Sequence, residues 1–574
     1  MTAAASARTG ARSNQAASDR TPSGQAGPMA LTMDRPWLAA LAAIFLAELI
    51  LLAVVAGLNP LAINPDAIAY MRIAEYYSGG RFDLAVNGYW GPLISWLIAA
   101  LLAVTPNTLT AMRLAMAASA VVFTAGALLL LVALGLNRAA IILATATTAL
   151  FASAQSVAWV TPDLLMAGLL LSGLALTLWA GGHDIGRRPL ISGLFYGSAF
   201  LAKAPALPIA LASLAIVALV RVSLAGIPWR RAIAQSAWAI AGLAIVVLPW
   251  MLVLSFHYGT PTLSTSGAIN HAIVGPPNVA RAHPTFSSHL WPAPGRLTTW
   301  EEPSRLAYLY WSPFADKEAF RHQIKIITGN AAVFLQRLSE FDLLGVAPLA
   351  VLAAFLLGLR RQRLVAQPWR LAVIPIVVNG LIYFPVFGGA QRYYFACLPL
   401  LLAGASGLAH DLAPRNKRLS GRAVGLLVTA LLFLPTPLAP LSFALAGRFD
   451  RPAFEAATIL VQATKPAIPG SGAVAGVADQ MRVALYLSYV TGRPYLGDNW
   501  QETSVDHLGA MGVEYVVTDK ASALDQVIRN PTSSAGSYAA IEIARRVVVD
   551  WPVVLYRIVP AASTEPGGAR HGWP

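Results

Sequence analysis

Long runs of uncharged, apolar residues recur along this chain, and they decide its solvent before any motif is considered. Eleven such stretches fall near 37–58, 109–134, 140–160, 163–180, 190–202, 204–221, 232–256, 342–359, 371–387, 393–410 and 423–445. Most have the roughly 17 to 25 residues that a helix needs to cross a hydrocarbon core of about 30 Å. They do not alternate apolar with polar residues, as the strands of a membrane barrel would. Hydrophobic residues make up 56% of the chain and charged residues 12%, so no water-soluble globule can be built from most of it. The expected fold is an all-α polytopic membrane bundle of about eleven transmembrane helices, with a small α/β domain after it.

A formal charge of +14 invites a nucleic-acid reading, but the basic residues lie in short clusters between apolar runs, where they set topology. No nucleic-acid partner is expected. The clusters are Arg8, Arg12, Arg20 and Arg35; Arg138; Arg187 and Arg188; Arg221, Arg230 and Arg231; Arg360, Arg361, Arg363 and Arg370; and Arg415, Lys417, Arg418 and Arg422. All fall on the cytoplasmic side only if the short apolar stretch 92–104 does not cross. It ends in Thr105-Pro106-Asn107 and reads as an interfacial or re-entrant helix on the outer face. The N-terminus is then cytoplasmic and the C-terminus extracytoplasmic, in a bacterial inner (plasma) membrane.

The chain divides accordingly into a disordered cytoplasmic tail (1–35), a transmembrane domain (36–445) with outer loops 59–108 and 257–341, and an extracytoplasmic α/β domain (446–574). In the last of these, strand-like runs occur at 473–478, 513–517, 547–549 and 553–556, with helix-like stretches at 480–491 and 503–511. The single cysteine, Cys397, lies in an apolar run, so no internal disulfide can form.

Two tripeptides carry the candidate chemistry. Asn64-Pro65-Asp66 follows the first apolar run, and Thr161-Pro162-Asp163 lies between two later ones. Each begins with a good capping residue, then Pro, then an Asp in the first turn, where the helix dipole favours a negative charge. Helix-start grammar alone explains either Asp. Two of them at the outer rim of one bundle place paired carboxylates where a base or a cation holder is useful. Lys203 sits between two short apolar runs, as a snorkelling anchor or an anion ligand. Arg392 opens the run at 393–410 on the outer face, where the positive-inside rule does not ask for it, and so suits a phosphate. Glu48, inside the first run, can be satisfied by a bond within the bundle.

With these residues named, the order of four segments resembles the GT-C glycosyltransferases, in the branch of protein O-mannosyltransferases and aminoarabinose transferases. The segments are Asp66-Ala67-Ile68-Ala69-Tyr70-Met71-Arg72-Ile73-Ala74 with Gly88-Tyr89-Trp90-Gly91-Pro92-Leu93; Thr161-Pro162-Asp163; Gly193 through Lys203; and Arg392-Tyr393-Tyr394-Phe395 leading to Pro399. The resemblance spans roughly 37–410. It implies transfer of a sugar from a polyprenyl-phosphate donor to a lipid, glycan or protein acceptor on the outer face of the membrane, with inversion. It implies Asp66 as the catalytic carboxylate and Asp163 as a second one that positions the acceptor or a cation. Lys203 and Arg392, with Tyr70 and Tyr393 beside the motifs, would bind substrate. Where many relatives carry Glu and a basic residue, this chain has Ala67 and Gly91, which leaves the donor's head group and any divalent cation open. No cofactor is otherwise implied. A multi-pass transporter and a noncatalytic scaffold for envelope assembly are the rival classes.

Overall fold

The computed structural model describes residues 34–561 apart from 180–183, 224–225, 277–282, 359–366, 413–420, 450, 465–471, 479, 531–535 and 549–550. Residues 1–33 of the tail expected to be disordered, and the basic residues at 8, 12, 20, 360, 361, 363, 415, 417 and 418, lie outside the described residues, while the last two residues assigned to that tail, Asp34 and Arg35, belong to the start of the first helix. Residue 549 of the third strand-like run does too. The first half of the chain forms α1 (Arg35–Leu58), α2 (Pro65–Ser78), α3 (Phe82–Ala85), α4 (Pro92–Leu102), α5 (Thr108–Ala133), α6 (Arg138–Ala158), α7 (Asp163–Trp179), α8 (Arg187–Ala202), α9 (Ala206–Ser223) and α10 (Trp229–Tyr258). Then come α11 (Ser266–Ile273), α12 (Lys317–Ser339), α13 (Ala347–Leu357), α14 (Val373–Tyr383), α15 (Cys397–Leu412), α16 (Gly421–Phe433) and α17 (Pro435–Leu445).

Short polar side chains set several of the helix starts. Asp34 accepts from the Trp37 amide (3.1 Å), Asn107 from Thr110 (3.1 Å), Asn137 from Ala140 (3.0 Å) and Asp316 from Ala319 (2.7 Å), each satisfying an amide that the first turn leaves free. Glu48 on α1 accepts from the Thr124 hydroxyl of α5 at 2.7 Å. The other oxygen of that buried carboxyl has no hydrogen-bond partner among the described residues, so the bundle satisfies it only in part.

A helical segment occupies each of the eleven apolar stretches, but the count of eleven crossings is not established. Five helices, α1, α5, α6, α9 and α10, are long and apolar enough to cross a membrane; residues 423–433 and 435–445, bent by 44° at a break, make a sixth if taken as one span. The others are shorter. At about 1.5 Å per residue, the 17 residues of α7 reach roughly 25 Å, short of a hydrocarbon core of about 30 Å. Most of α7 is buried among its neighbours, so protein rather than lipid surrounds it. Helix α4, with 11 residues, is shorter still, but so are α13 and α14 in stretches expected to cross.

The C-terminal part carries α18 (Arg451–Thr464), β1 (Ala473–Val477), α19 (Met481–Thr491), β2 (Tyr495–Asn499), α20 (Val505–Ala510), β3 (Val513–Thr518), α21 (Ala523–Arg529), β4 (Tyr538–Val548) and β5 (Trp551–Pro560). The sheet runs in the order β2-β1-β3-β5-β4, parallel across its first three strands and antiparallel across the last three. Strand β2 is absent from the sequence reading because Gly497, Asp498 and Asn499 are poor strand formers. Its neighbour holds it in place. The Tyr495 amide donates to Leu297 O (2.8 Å), and the Leu290 amide donates to Leu496 O (2.6 Å). The loop between α10 and α13 thus covers this edge strand. Gly497, at φ +113°, is where the two backbones meet: a Cβ there would lie 2.3 Å from Ser288 O. The domain also docks on the segment between α1 and α2, through the Tyr486 hydroxyl to Ile63 O at 2.9 Å. Its buried side chains are continuous with the core of the bundle.

Candidate active site

The two tripeptides are tied to each other. Asn64, expected to cap α2, makes no such bond; its Oδ1 accepts from the Val160 amide at 2.8 Å, one residue before Thr161. Thr161 caps nothing either, for its hydroxyl is buried without a hydrogen-bond partner among the described residues. The capping grammar therefore does not account for these residues. Asn64 instead holds the start of α2 beside the start of α7, which brings Asp66 and Asp163 to one place.

Two cations reach them from other segments. Lys203 stands in the break between α8 and α9, in extended backbone (φ −157°, ψ 130°). Its Nζ donates to Asp163 Oδ1 at 2.6 Å. The carboxylate is 1% exposed and the ammonium 22%, so Lys203 is paired rather than snorkelling. Arg392 lies in a short 3-10 turn, Gln391–Tyr394. Its Nη2 donates to Asp66 Oδ2 at 2.9 Å, and its Nε stands 3.8 Å from Asp163 Oδ2. The four groups form a chain, Asp66 to Arg392 to Asp163 to Lys203, in which charge is balanced.

Aromatic rings frame this chain. Tyr393 lies under the Lys203 ammonium (4.3 Å to the centroid) and stacks on Tyr383 at 4.9 Å. Trp159 covers the Arg392 guanidinium at 5.0 Å, a cation–π arrangement that stabilises a partly desolvated charge. Tyr70 is one turn along α2 from Asp66 and meets Trp90 edge to face at 5.0 Å. Burial pushes its phenol up, and the nearby Asp66 and Asp163 push it the same way, so Tyr70 is a neutral hydroxyl. All six residues singled out in the sequence therefore converge. Sequence reasoning missed Trp159, Trp300 and Tyr383. The first stands two residues before the second tripeptide, the one local signal that could have found it.

The far end of α2 is held by the loop 283–308. Glu301, fully buried, accepts from the Tyr76 hydroxyl at 2.7 Å and from the amides of Leu297 and Thr298 at 2.8 and 3.0 Å. Trp90 packs edge to face on Trp300 (5.0 Å), and Trp300 on His283 (4.6 Å). The ring nitrogen of His283 lies 2.9 Å from the Tyr308 hydroxyl, and burial pushes this imidazole down from its ordinary 6.5 to about 4. Between those values the unfolded chain binds the proton more tightly, so stability is present above about pH 6.5 and is lost as pH falls through about 4. A His283→Gln variant should lose less melting temperature between pH 7 and pH 5 than the parent. Equal losses would remove His283 from the acid sensitivity.

The departures at Ala67 and Gly91 have local reasons. Ala67 is fully buried on α2, where a carboxylate would be desolvated. Gly91 precedes Pro92 at the start of α4, and a Cβ there would lie 2.3 Å from Ala202 O and 2.6 Å from Leu201 O. The end of α4 thus presses on the backbone that leads into Lys203. We expect Gly91→Ala to cost about 1 to 3 kcal/mol, as overpacking does, read as a lower melting temperature of the detergent-solubilised protein. An unchanged melting temperature would show that the two helix ends are free to part.

No protein-family model matches the sequence, and no curated protein does. Solved structures do match in fold. ArnT from Cupriavidus metallidurans aligns in its apo state (TM-score 0.54, 15% identity) and bound to undecaprenyl phosphate (TM-score 0.53, 16% identity). In both cases the alignment covers 92% of this chain and 99% of that one. The arabinofuranosyltransferase AftD from Mycobacteria aligns at a TM-score of 0.46 and 15% identity, over 92% of this chain and 40% of its own. The chain has the GT-C fold that the four ordered segments led us to expect.

Proposed function

We propose that this protein transfers a sugar from a polyprenyl-phosphate donor to an acceptor on the outer face of the membrane, with inversion at the anomeric carbon. The observation that carries the reading is the charge chain itself: two carboxylates and two cations, delivered by four separate segments to the ends of α2 and α7. The fold shared with an ArnT structure that holds undecaprenyl phosphate supports a lipid-phosphate donor.

In this reading the acceptor hydroxyl gives its proton to Asp66 as its oxygen bonds to the anomeric carbon, and the bond from that carbon to the phosphate oxygen breaks. The electron pair leaves with the lipid phosphate. Lys203 and Arg392 stabilise the charge that grows there, and their positions are fixed beforehand by Asp163, so little reorganisation is needed in the transition state. Tyr70 donates a neutral hydroxyl to substrate, and Tyr393 keeps the Lys203 ammonium in place. A divalent cation here would have to share Asp66 and Asp163 with the two basic side chains; titration with a chelator tests for one.

The experiment is release of labelled sugar from a polyprenyl-phosphate donor by the purified protein. Transfer to an acceptor or to water is expected. An intact donor after prolonged incubation with folded protein would overturn the reading, and movement of uncleaved substrate across liposomes would replace it with transport. The outer-face assignment has its own test. Cysteines placed at Ser13 and Ser504 should react with an impermeant label from opposite sides, and reaction from the same side would reject the topology.

A further inference from the structure

Helix α12 is 23 residues long, long enough to cross a membrane, yet Lys317, Glu318, Arg321 and Lys325 in its first half forbid that. It stands outside the apolar helices. Its side chains sort into three stripes. One packs inward: Gln323 donates to Pro385 O (2.9 Å), Asn330 to Phe384 O (2.9 Å) and Arg337 to Gly389 O (2.8 Å), while the Phe334 ring meets Tyr394 edge to face at 5.0 Å. This stripe grips the segment 384–394, which contains Arg392.

The other two stripes face outward. Phe320 and Ile324, four residues apart and so on one face, are 50% and 44% exposed, and just before the helix Tyr310 and Phe314 are 64% and 86% exposed. Beside them Lys317, Arg321 and Lys325, spaced four apart, form an exposed basic row. Arg337 at the other end is paired with Glu340 (2.5 Å). Among the described residues the side chains of Lys317, Arg321 and Lys325 make no ion pair. Glu318 is the one acidic residue of the helix.

We propose that α12, with the 309–314 segment before it, is a docking surface for the outer leaflet of the membrane, with its apolar stripe in the headgroup boundary and its basic row on anionic phospholipid headgroups. An apolar face flanked by lysine and arginine is what a helix lying in that boundary presents, and each basic residue near an anionic surface adds to the attraction. On the topology proposed above, these three basic side chains, without an ion pair among the described residues, lie outside the cytoplasmic face against the positive-inside rule, and an anionic partner accounts for them. Because the inward stripe is bonded to Phe384, Pro385 and Gly389 and packs on Tyr394, the helix that would meet the lipid also braces the segment that carries Arg392.

The test needs no turnover and so is independent of sugar transfer. Cys397 is fully buried, so a cysteine placed at Ile324, or at Phe314 as a second site, takes a spin label alone. The full chain is put in nanodiscs of phosphatidylcholine with or without phosphatidylglycerol, and collisions with oxygen and with a water-soluble nickel complex are compared. With anionic lipid, we expect the ratio of oxygen to nickel collisions to rise several-fold over its value in pure phosphatidylcholine. In the Lys317→Gln, Arg321→Gln, Lys325→Gln variant that rise should be lost. Three outcomes overturn the proposal: water-like accessibility at both sites in either lipid, a depth indifferent to both charge and variant, or burial that appears only when undecaprenyl phosphate is added, which would give this face to that lipid's tail.

Discussion

Asp66→Asn should lower turnover by about two to four orders of magnitude, the range expected when general-base help is removed. Asparagine keeps the shape of the side chain and suits a helix start as well as aspartate does. It also removes one of the two carboxylates that hold Arg392, at 2.9 Å, so the guanidinium becomes more available to a phosphate and donor affinity should not weaken. A fall in turnover with unweakened donor binding is the pattern of a group that acts in the transition state. Near-normal turnover by folded Asp66→Asn protein would take Asp66 out of the mechanism.

Arg392→Ala should cost about two to three orders of magnitude in turnover, as loss of a preorganised donor does. Unlike Asp66→Asn it should weaken donor binding as well, because its proposed partner is the phosphate both before and during the reaction. Choosing Arg392 over Lys203 is a matter of magnitudes. Lys203→Ala would take from Asp163, whose carboxylate is 1% exposed, its hydrogen-bonded cation and leave it only the Arg392 Nε at 3.8 Å, and breaking a buried pair from one side costs up to about 3 to 5 kcal/mol. That penalty is a large share of the roughly 5 to 15 kcal/mol by which folded domains are stable. Arg392→Ala leaves Asp66 at 17% exposure with access to water, and Asp163 still has Lys203. Calorimetry with undecaprenyl phosphate on the monodisperse variant decides the matter. Unchanged affinity would remove Arg392 from the phosphate site.

The site was legible largely because its parts announce themselves locally. A proline followed by an aspartate, a lysine in a helix break and an arginine at an outer helix start are each visible within a few residues. Their convergence rests on contacts that no local pattern encodes. Asn64 reads as a cap, and only the fold reveals that it reaches 96 residues ahead to the Val160 amide. Lys203 left two readings open until its partner 40 residues away was seen. The number of crossings was less legible, since an apolar stretch says that water is excluded but not whether lipid or protein excludes it, as α7 shows. In the same way β2 is a strand because β1 and the loop between α10 and α13 give its backbone partners, and its own composition argues against it.

The edge strand β2 has a consequence for how the protein is made. Leu297 and Tyr495, which share a backbone hydrogen bond, are separated by about 200 residues, and at 5 to 20 residues per second the ribosome takes roughly 10 to 40 s to go from one to the other. For that interval the loop between α10 and α13 exists without the strand that covers it. Glu301, which anchors α2, lies on this loop, so the loop cannot be fully seated before Tyr495 has been made. A chain cut short before residue 495 would keep every charged member of the site and lack the strand that seats the loop beside it.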